Sequence, residues 1–205
     1  MAERRNGSSA PECTTTIAGE DWYGRDLTGM VHEHTLFSDL DLTETTSDGA
    51  IFTGCTFRGV KFNAGTHRSV AFVNCTFTQC NFFDARFSGS KFVGSRFEGC
   101  EFPLMKADGG DWSFTGFAGA KLEGVEFVGV RMRETDFTRA RCTGATFSQC
   151  DLSGSWFQGA DFSRSALTGS DLTGLDPAVT TLNGAYIDEA QAVQLLSAMG
   201  INVVG

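Results

Sequence analysis

The chain has 205 residues, 25 of them Gly and only 3 Pro, and a formal net charge of -9 at pH 7. Phosphate neutralisation needs a basic face, so this charge argues against direct nucleic-acid binding. The length suits one domain or two small ones, and no run of 18 apolar residues exists to cross a membrane as a helix.

Residues 1–19 are polar, rich in Ser and Thr, and without periodicity; a disordered arm is expected. Arg4 and Arg5 are followed by no apolar segment, so no secretory signal is expected and the protein reads as cytoplasmic.

From Glu20 the chain repeats every five residues and holds that register to Ile187. Starting at Trp22, every fifth residue is large and apolar at 28 of 34 positions, and these positions hold 17 of the 19 Phe. The residue two before is small, as at Cys55, Ala85, Ser95 and Ala160; the residue two after is Gly in 18 units. A period of five fits neither a helix nor a flat strand. Fixed-period self-similarity predicts a solenoid, a single elongated domain over residues 20–187. One large ring per unit leaves room for only a small partner, and Gly, Ser, Thr, Asp and Asn suit the corners.

If four units make one 20-residue coil, the central residues sort into four ladders. One reads Phe37, Phe57, Phe77, Phe97, Phe117, Phe137, Phe157. Another collects Ser47, His67 and Ala107, and is expected to be the least regular; His67 should bond to Ser47 beside it in the stack. Pro103 belongs where no ladder donor is needed, with a local bend expected around 102–107. Phe83 and Phe114 lie off register and should be partly exposed. Five of the seven Cys sit at the small inward position and Cys142 at the large one, as compact core residues. Stacked pairs such as Cys55/Cys75 would lie about 4.8 Å apart, within disulfide range; the reading favours reduced thiols. There is no Cys/His metal spacing, and no cofactor is expected.

After Ile187 the pattern changes. Asp188 with Gln191 three residues on forms a capping box, and Gly200 is a fitting stop, which predicts a helix over 189–199. Val193, Leu196 and Met199 form one apolar stripe, followed by Ile201, Val203 and Val204. Residues 188–205 are therefore expected to cap the open solenoid end and to form a dimer interface.

Units such as Cys150-Asp151-Leu152-Ser153-Gly154 and Ser170-Asp171-Leu172-Thr173-Gly174 resemble the pentapeptide-repeat family. The resemblance implies an all-β solenoid: a right-handed quadrilateral parallel β-helix of about eight coils, here with a short C-terminal α-helix. The stretches Thr66–Phe77, Val130–Thr135 and Gly184–Val193 are similar to the Mfp and Qnr type within it. That type implies a homodimer joined through the C-terminal helix, a rod that mimics duplex DNA, binding to DNA gyrase or topoisomerase IV, and protection from fluoroquinolones. The unbroken register lacks the projecting loops of many Qnr proteins.

Charge is unevenly spread. Residues 20–50 hold eight acids against Arg25, residues 51–144 nine acids against twelve bases, and residues 145–189 six acids against Arg164. Asp151, Asp161, Asp171 and Asp176 are thus candidate gyrase contacts near the centre of a C-terminal dimer. Corner chemistry explains why Asp is allowed there, not why acids gather at that end. An enzyme is disfavoured, since the inward positions are aromatic and no catalytic set converges outside. The alternative is a non-enzymatic β-helical scaffold for a different protein partner.

Overall fold

A computed structural model describes residues 10–204. The five-residue period is realised as a parallel β-solenoid in which every pairing joins residues 20 apart, for example Thr15↔Thr35 and Phe37↔Phe57. The bridges run Asp21, Asp41, Lys61, Asn81, Glu101, Lys121, Arg141, Asp161, Thr181: eight successive 20-residue steps up one wall.

The central residues define four walls. The first wall holds the Phe37 ladder and strands Thr15–Ala18, Thr35–Ser38, Thr56–Arg58, Thr76–Thr78 and Arg96–Glu98. The second wall, centred on Trp22 and Phe62, is joined by isolated bridges, with no strand among the described residues. There the central carbonyl accepts from the amide three residues on, as Phe82 does from Ala85 at 3.1 Å, and this closes a tight turn. The third wall, centred on Ser47, His67, Phe87 and Ala107, is a six-stranded sheet; the fourth, centred on His32, Phe52 and Phe72, begins with three strands, Val31–Glu33, Ile51–Thr53 and Ala71–Val73.

Three expectations are corrected. The arm expected over 1–19 ends earlier: Thr15–Ala18 is already a strand of the first wall, because Ile17 lies on the same five-residue register one unit before Trp22. Residues 1–9 lie outside the described part. The third wall was expected to be the least regular, yet its strands stack unbroken from Thr46–Asp48 to Thr146–Ser148. Backbone register is set at the corners, and side chains absorb the exceptions. Above Phe87 the gap left by Ala107 is filled from the fourth wall by Trp112, whose indole meets Phe87 and Phe127 edge-on at 5.9 and 5.2 Å. Around 102–107 the pairing also continues (Lys106↔Glu126). Pro103 sits where other units spend the amide on a side-chain oxygen, as Phe83 does on Asn81 Oδ1 at 2.9 Å, so no coil bond is lost.

The shaft is mainly aromatic as far as Phe162, above which Leu167, Leu172 and Leu175 continue it. The Phe37-to-Phe157 ladder stacks nearly parallel, with centroids 4.7, 4.9, 4.8, 4.9, 6.0 and 5.8 Å apart, and all its members are buried. Neighbouring walls meet it edge-on, as Phe72 meets Phe77 at 5.4 Å. A cavity between Trp22 and Phe72 has only about 10 Å³, room for no more than one water.

The small inward residue has a polar task. Cys75, Cys80, Cys100 and Cys150 donate their thiols to the carbonyls of Phe52, Phe57, Phe77 and Phe127 in the coil below, at 3.3–3.4 Å. Ser95, Ser155 and Ser170 do the same to Phe72, Met132 and Phe147. All seven Cys are free thiols. Burial pushes Cys142 well up and Cys150 to about 11, which keeps these two thiols protonated and Cys150 a donor rather than a nucleophile.

Ser47 and His67 meet as expected: Oγ and Nδ1 are 2.8 Å apart, while Nε2 is buried without a partner. Burial lowers the His67 pKa to about 4. An unfolded His titrates near 6.5, so between pH 6.5 and 4 the unfolded chain binds the extra proton and stability falls as pH falls. The His67 contribution to the loss approaches about 3 kcal/mol by pH 4, where protonation of carboxylates held below their usual value, such as Asp161, adds to it. Urea unfolding across pH 4–7 should show a steeper slope in the natural chain than in His67→Phe, which keeps only the smaller contributions of His32 and the carboxylates; equal slopes would refute the assignment.

Candidate functional site

With the shaft filled, the chemistry available to a partner lies on the walls and ends. Three residues per unit face outward: one before the central residue, and the first and second after it. The corner is the second after. All 14 non-glycine residues of positive φ occupy it, and Gly takes it in the remaining turned units.

Asp in the position before the central residue closes the turn that follows it. Asp151, Asp161, Asp171 and Asp176 each accept, through Oδ1, the amide two residues on, at 3.2, 2.9, 2.9 and 2.8 Å. The hydroxyl and amide of Ser163 hold the Asp161 pKa below the usual carboxylate value. The second oxygen is left for solvent or a neighbour: Asp151 Oδ2 is 3.6 Å from Arg133, and Asp161 Oδ2 accepts from Thr143 Oγ1 at 3.2 Å. Corner chemistry thus accounts for Asp as a residue type, as the sequence suggested.

The four candidates do not share a wall. Asp151 and Asp171 are stacked partners on the fourth wall, Asp161 is on the opposite second wall, and Asp176 is on the first. They ring the last coils. Lower on the fourth wall the column reads Lys91, Asp111, Arg131, with Arg131 3.4 Å from Asp111, so mid-rod charge is largely self-compensated.

The C-terminal helix spans Glu189–Ala198, with Asp188 as N-cap and the full capping box with Gln191. Sequence reading missed what seats it. Gln191 is buried, and its Nε2 donates to the carbonyls of Leu167 and Ser170 at 2.6 and 2.7 Å; Asp188 Oδ2 accepts from Gly169. Leu195, four residues on, packs on the core. The signal was the i, i+4 pair Gln191/Leu195, hidden because Gln does not score as a core residue. Of the candidate interface residues, Val193, Met199, Ile201, Val203 and Val204 are exposed, Val204 at 90%, and Leu196 is half-buried.

The molecule is thus a slim, filled, four-walled solenoid with a helical cap and charged outer walls. Its class is the repeat solenoid, and the chain belongs to the pentapeptide-repeat family. The family's "pentapeptide repeat region" profile matches residues 50–127, and the "pentapeptide repeats (8 copies)" profile matches 117–154 and 147–176. Among solved structures, full-length QnrB1, a plasmid-mediated fluoroquinolone resistance protein, is similar with a TM-score of 0.64 and 20% identity, covering 91% of this chain and 98% of that one. A trypsin-treated QnrB1 variant matches with a TM-score of 0.54 and 25% identity, over 93% and 98% of the two chains. A search of curated proteins gives no match.

Proposed function

We propose that this chain is a DNA-mimicking ligand of DNA gyrase that tunes the enzyme and protects it from quinolone-like drugs. Two copies join through the exposed apolar stripe and tail of the C-terminal helix, forming one rod with the acidic coils at its centre. The supporting observation is the carboxylate ring on three walls of the last coils, in which Asp171 and Asp176 are exposed beyond the oxygen that closes the turn, while the second oxygens of Asp151 and Asp161 meet Arg133 and Thr143. Duplex DNA is likewise negative around its circumference, with a charge about every 1.7 Å. The likeness to QnrB1 in fold, over nearly the whole of both chains, agrees with that use.

The structure also indicates how to test it. Reversal to Lys would remove the turn-closing oxygen, whereas Asn keeps it, as Asn81 shows. The quadruple variant Asp151→Asn/Asp161→Asn/Asp171→Asn/Asp176→Asn should keep its Tm within a few degrees. Its inhibition of gyrase supercoiling should weaken by about tenfold or more, as expected for a salt-sensitive charged interface. Undiminished inhibition would discard the mimic, and no inhibition by the natural chain would favour a scaffold for another partner.

A further inference from the structure

Among the seven Cys, two pairs stand 20 residues apart, Cys55 with Cys75 and Cys80 with Cys100, so each pair is stacked one coil above the other. The backbone register beside them is exact: Thr56 pairs with Thr76 on the first wall, and Asn81 with Glu101 on the second. The side chains of a pair take the same pose. Cys55 donates to the carbonyls of His32 and Thr53, both at 3.5 Å, and Cys75 to those of Phe52 and Val73 at 3.3 and 3.6 Å, each acceptor 20 residues further on. Cys80 and Cys100 repeat this on Phe57 and Phe77, both at 3.4 Å. Each pair of sulfurs is therefore related by one coil rise, about 4.8 Å. A disulfide needs sulfurs about 2.05 Å apart and Cβ atoms within about 4.5 Å, closer than side chains leaving parallel coils can come. The thiols are free, as that spacing requires.

The same spacing suits a different bond. Metal–thiolate bonds are about 2.3 Å long, so a cation midway between two sulfurs about 4.8 Å apart completes two collinear bonds of about 2.4 Å with almost no movement of the coils. We propose that Cys55/Cys75 and Cys80/Cys100 are two linear bis-thiolate sites for a soft d10 cation of the mercuric class. Among the described residues no group of three or more His, Cys, Asp or Glu converges on a metal, which excludes a four-coordinate zinc site. Thiolate sulfur selects soft cations, and mercuric ion is satisfied by two collinear ligands. Each site takes one Hg2+, forms two S–Hg bonds and releases both thiol protons to solvent; no electron moves. The product is neutral, as the buried, Phe-lined surroundings demand. Pairing also eases loss of the first proton: Cys75 holds Cys55 below the usual thiol value through a hydrogen bond, and Cys80 does so for Cys100, whereas burial raises Cys142. Cys142 and Cys150 have no thiol in the coil above or below. Entry waits on local opening of the coils, which a solenoid allows without global unfolding.

The test uses the full chain with Cys13→Ser, which removes the one thiol that is not buried, and mercuric chloride as the probe. After incubation just below the Tm and removal of excess ion, native mass spectrometry should count two mercuric ions per chain, and X-ray absorption should find two sulfurs per mercury at a single distance. Adding Cys75→Ser/Cys100→Ser leaves one thiol per site. Ser95 and Ser155 make the same carbonyl bond from the same inward place, so this variant should fold with an unchanged circular dichroism spectrum. Mercury held by two protein sulfurs should fall from two ions per chain to none. Retention of such mercury by the variant would overturn the inference, as would no uptake, or one sulfur per mercury, in the chain with both pairs. That last measurement decides by itself if the serine variant does not fold. No outcome bears on the gyrase reading, which rests on the outer walls and not on the shaft.

Discussion

Gly110→Ala is expected to destabilise the solenoid by about 4 kcal/mol or more, the range reached only by a specific structural fault. Gly110 is the inward small residue of the Trp112 unit, not a corner, yet its φ is +92. A Cβ there would lie 2.0 Å from the Ser90 carbonyl oxygen and 2.8 Å from its nitrogen. These are backbone atoms, so no rotamer change can make room. The same oxygen accepts the Asp111 amide at 3.1 Å, and the Gly110 carbonyl accepts from Arg131 at 3.1 Å. Separating the coils to admit a methyl group would break the ladder on both sides. The neighbouring Gly109 is the control: its φ is +63 with nothing within 4 Å, so Gly109→Ala should cost only about 1–2 kcal/mol of left-handed strain. Thermal unfolding of the two variants checks this. Equal shifts in Tm would show that the close approach is not what requires glycine.

Gly110 also marks where the sequence stops being legible. The five-residue register, the inward Phe and Cys, the Ser47–His67 pair, the exposed Phe83 and the Asp188 capping box could all be read in advance, because each follows from position within a repeat. What could not be read depends on how one exception compensates another. Ala107 alone looks like a gap and Trp112 alone looks like a regular unit; only their adjacency across the shaft shows that the indole fills the space, with its ring 4.0 Å from Phe92. The third wall therefore keeps its ladder against expectation. Likewise Thr15–Ala18 carries a single large residue, Ile17, too few to stand out as a unit. The candidate acids were legible as a cluster, and the 20-residue coil already put Asp151 and Asp171 on one wall with Asp161 opposite; what was illegible is which of their second oxygens Arg133 and Thr143 engage. The burial of Gln191 was illegible because a polar side chain becomes core only when it meets carbonyls, such as those of Leu167 and Ser170, that the last coil leaves open.

Phe77→Ala is expected to cost about 3–5 kcal/mol and to change how the rod unfolds. Phe77 is fully buried and stacks on Phe57 and Phe97 at 4.9 and 4.8 Å, with Phe72 and Phe82 edge-on at 5.4 and 5.7 Å. In a solenoid each coil touches only the coils above and below, so stability is a sum of local coil terms and neighbour couplings. Removing one ring weakens the couplings on both sides at once. The N-terminal coils should then lose their support first, and urea unfolding followed by Trp22 and by Trp112 with Trp156 should separate into two transitions. Phe83→Ala removes a ring of the same size from the outer wall and should stay within about 0.5 kcal/mol, with the transitions coincident. If Phe77→Ala lost under about 1 kcal/mol, backbone ladders rather than stacked rings would hold the coils in register. The stiffness that lets wall charges keep fixed spacings against a partner would then need another source.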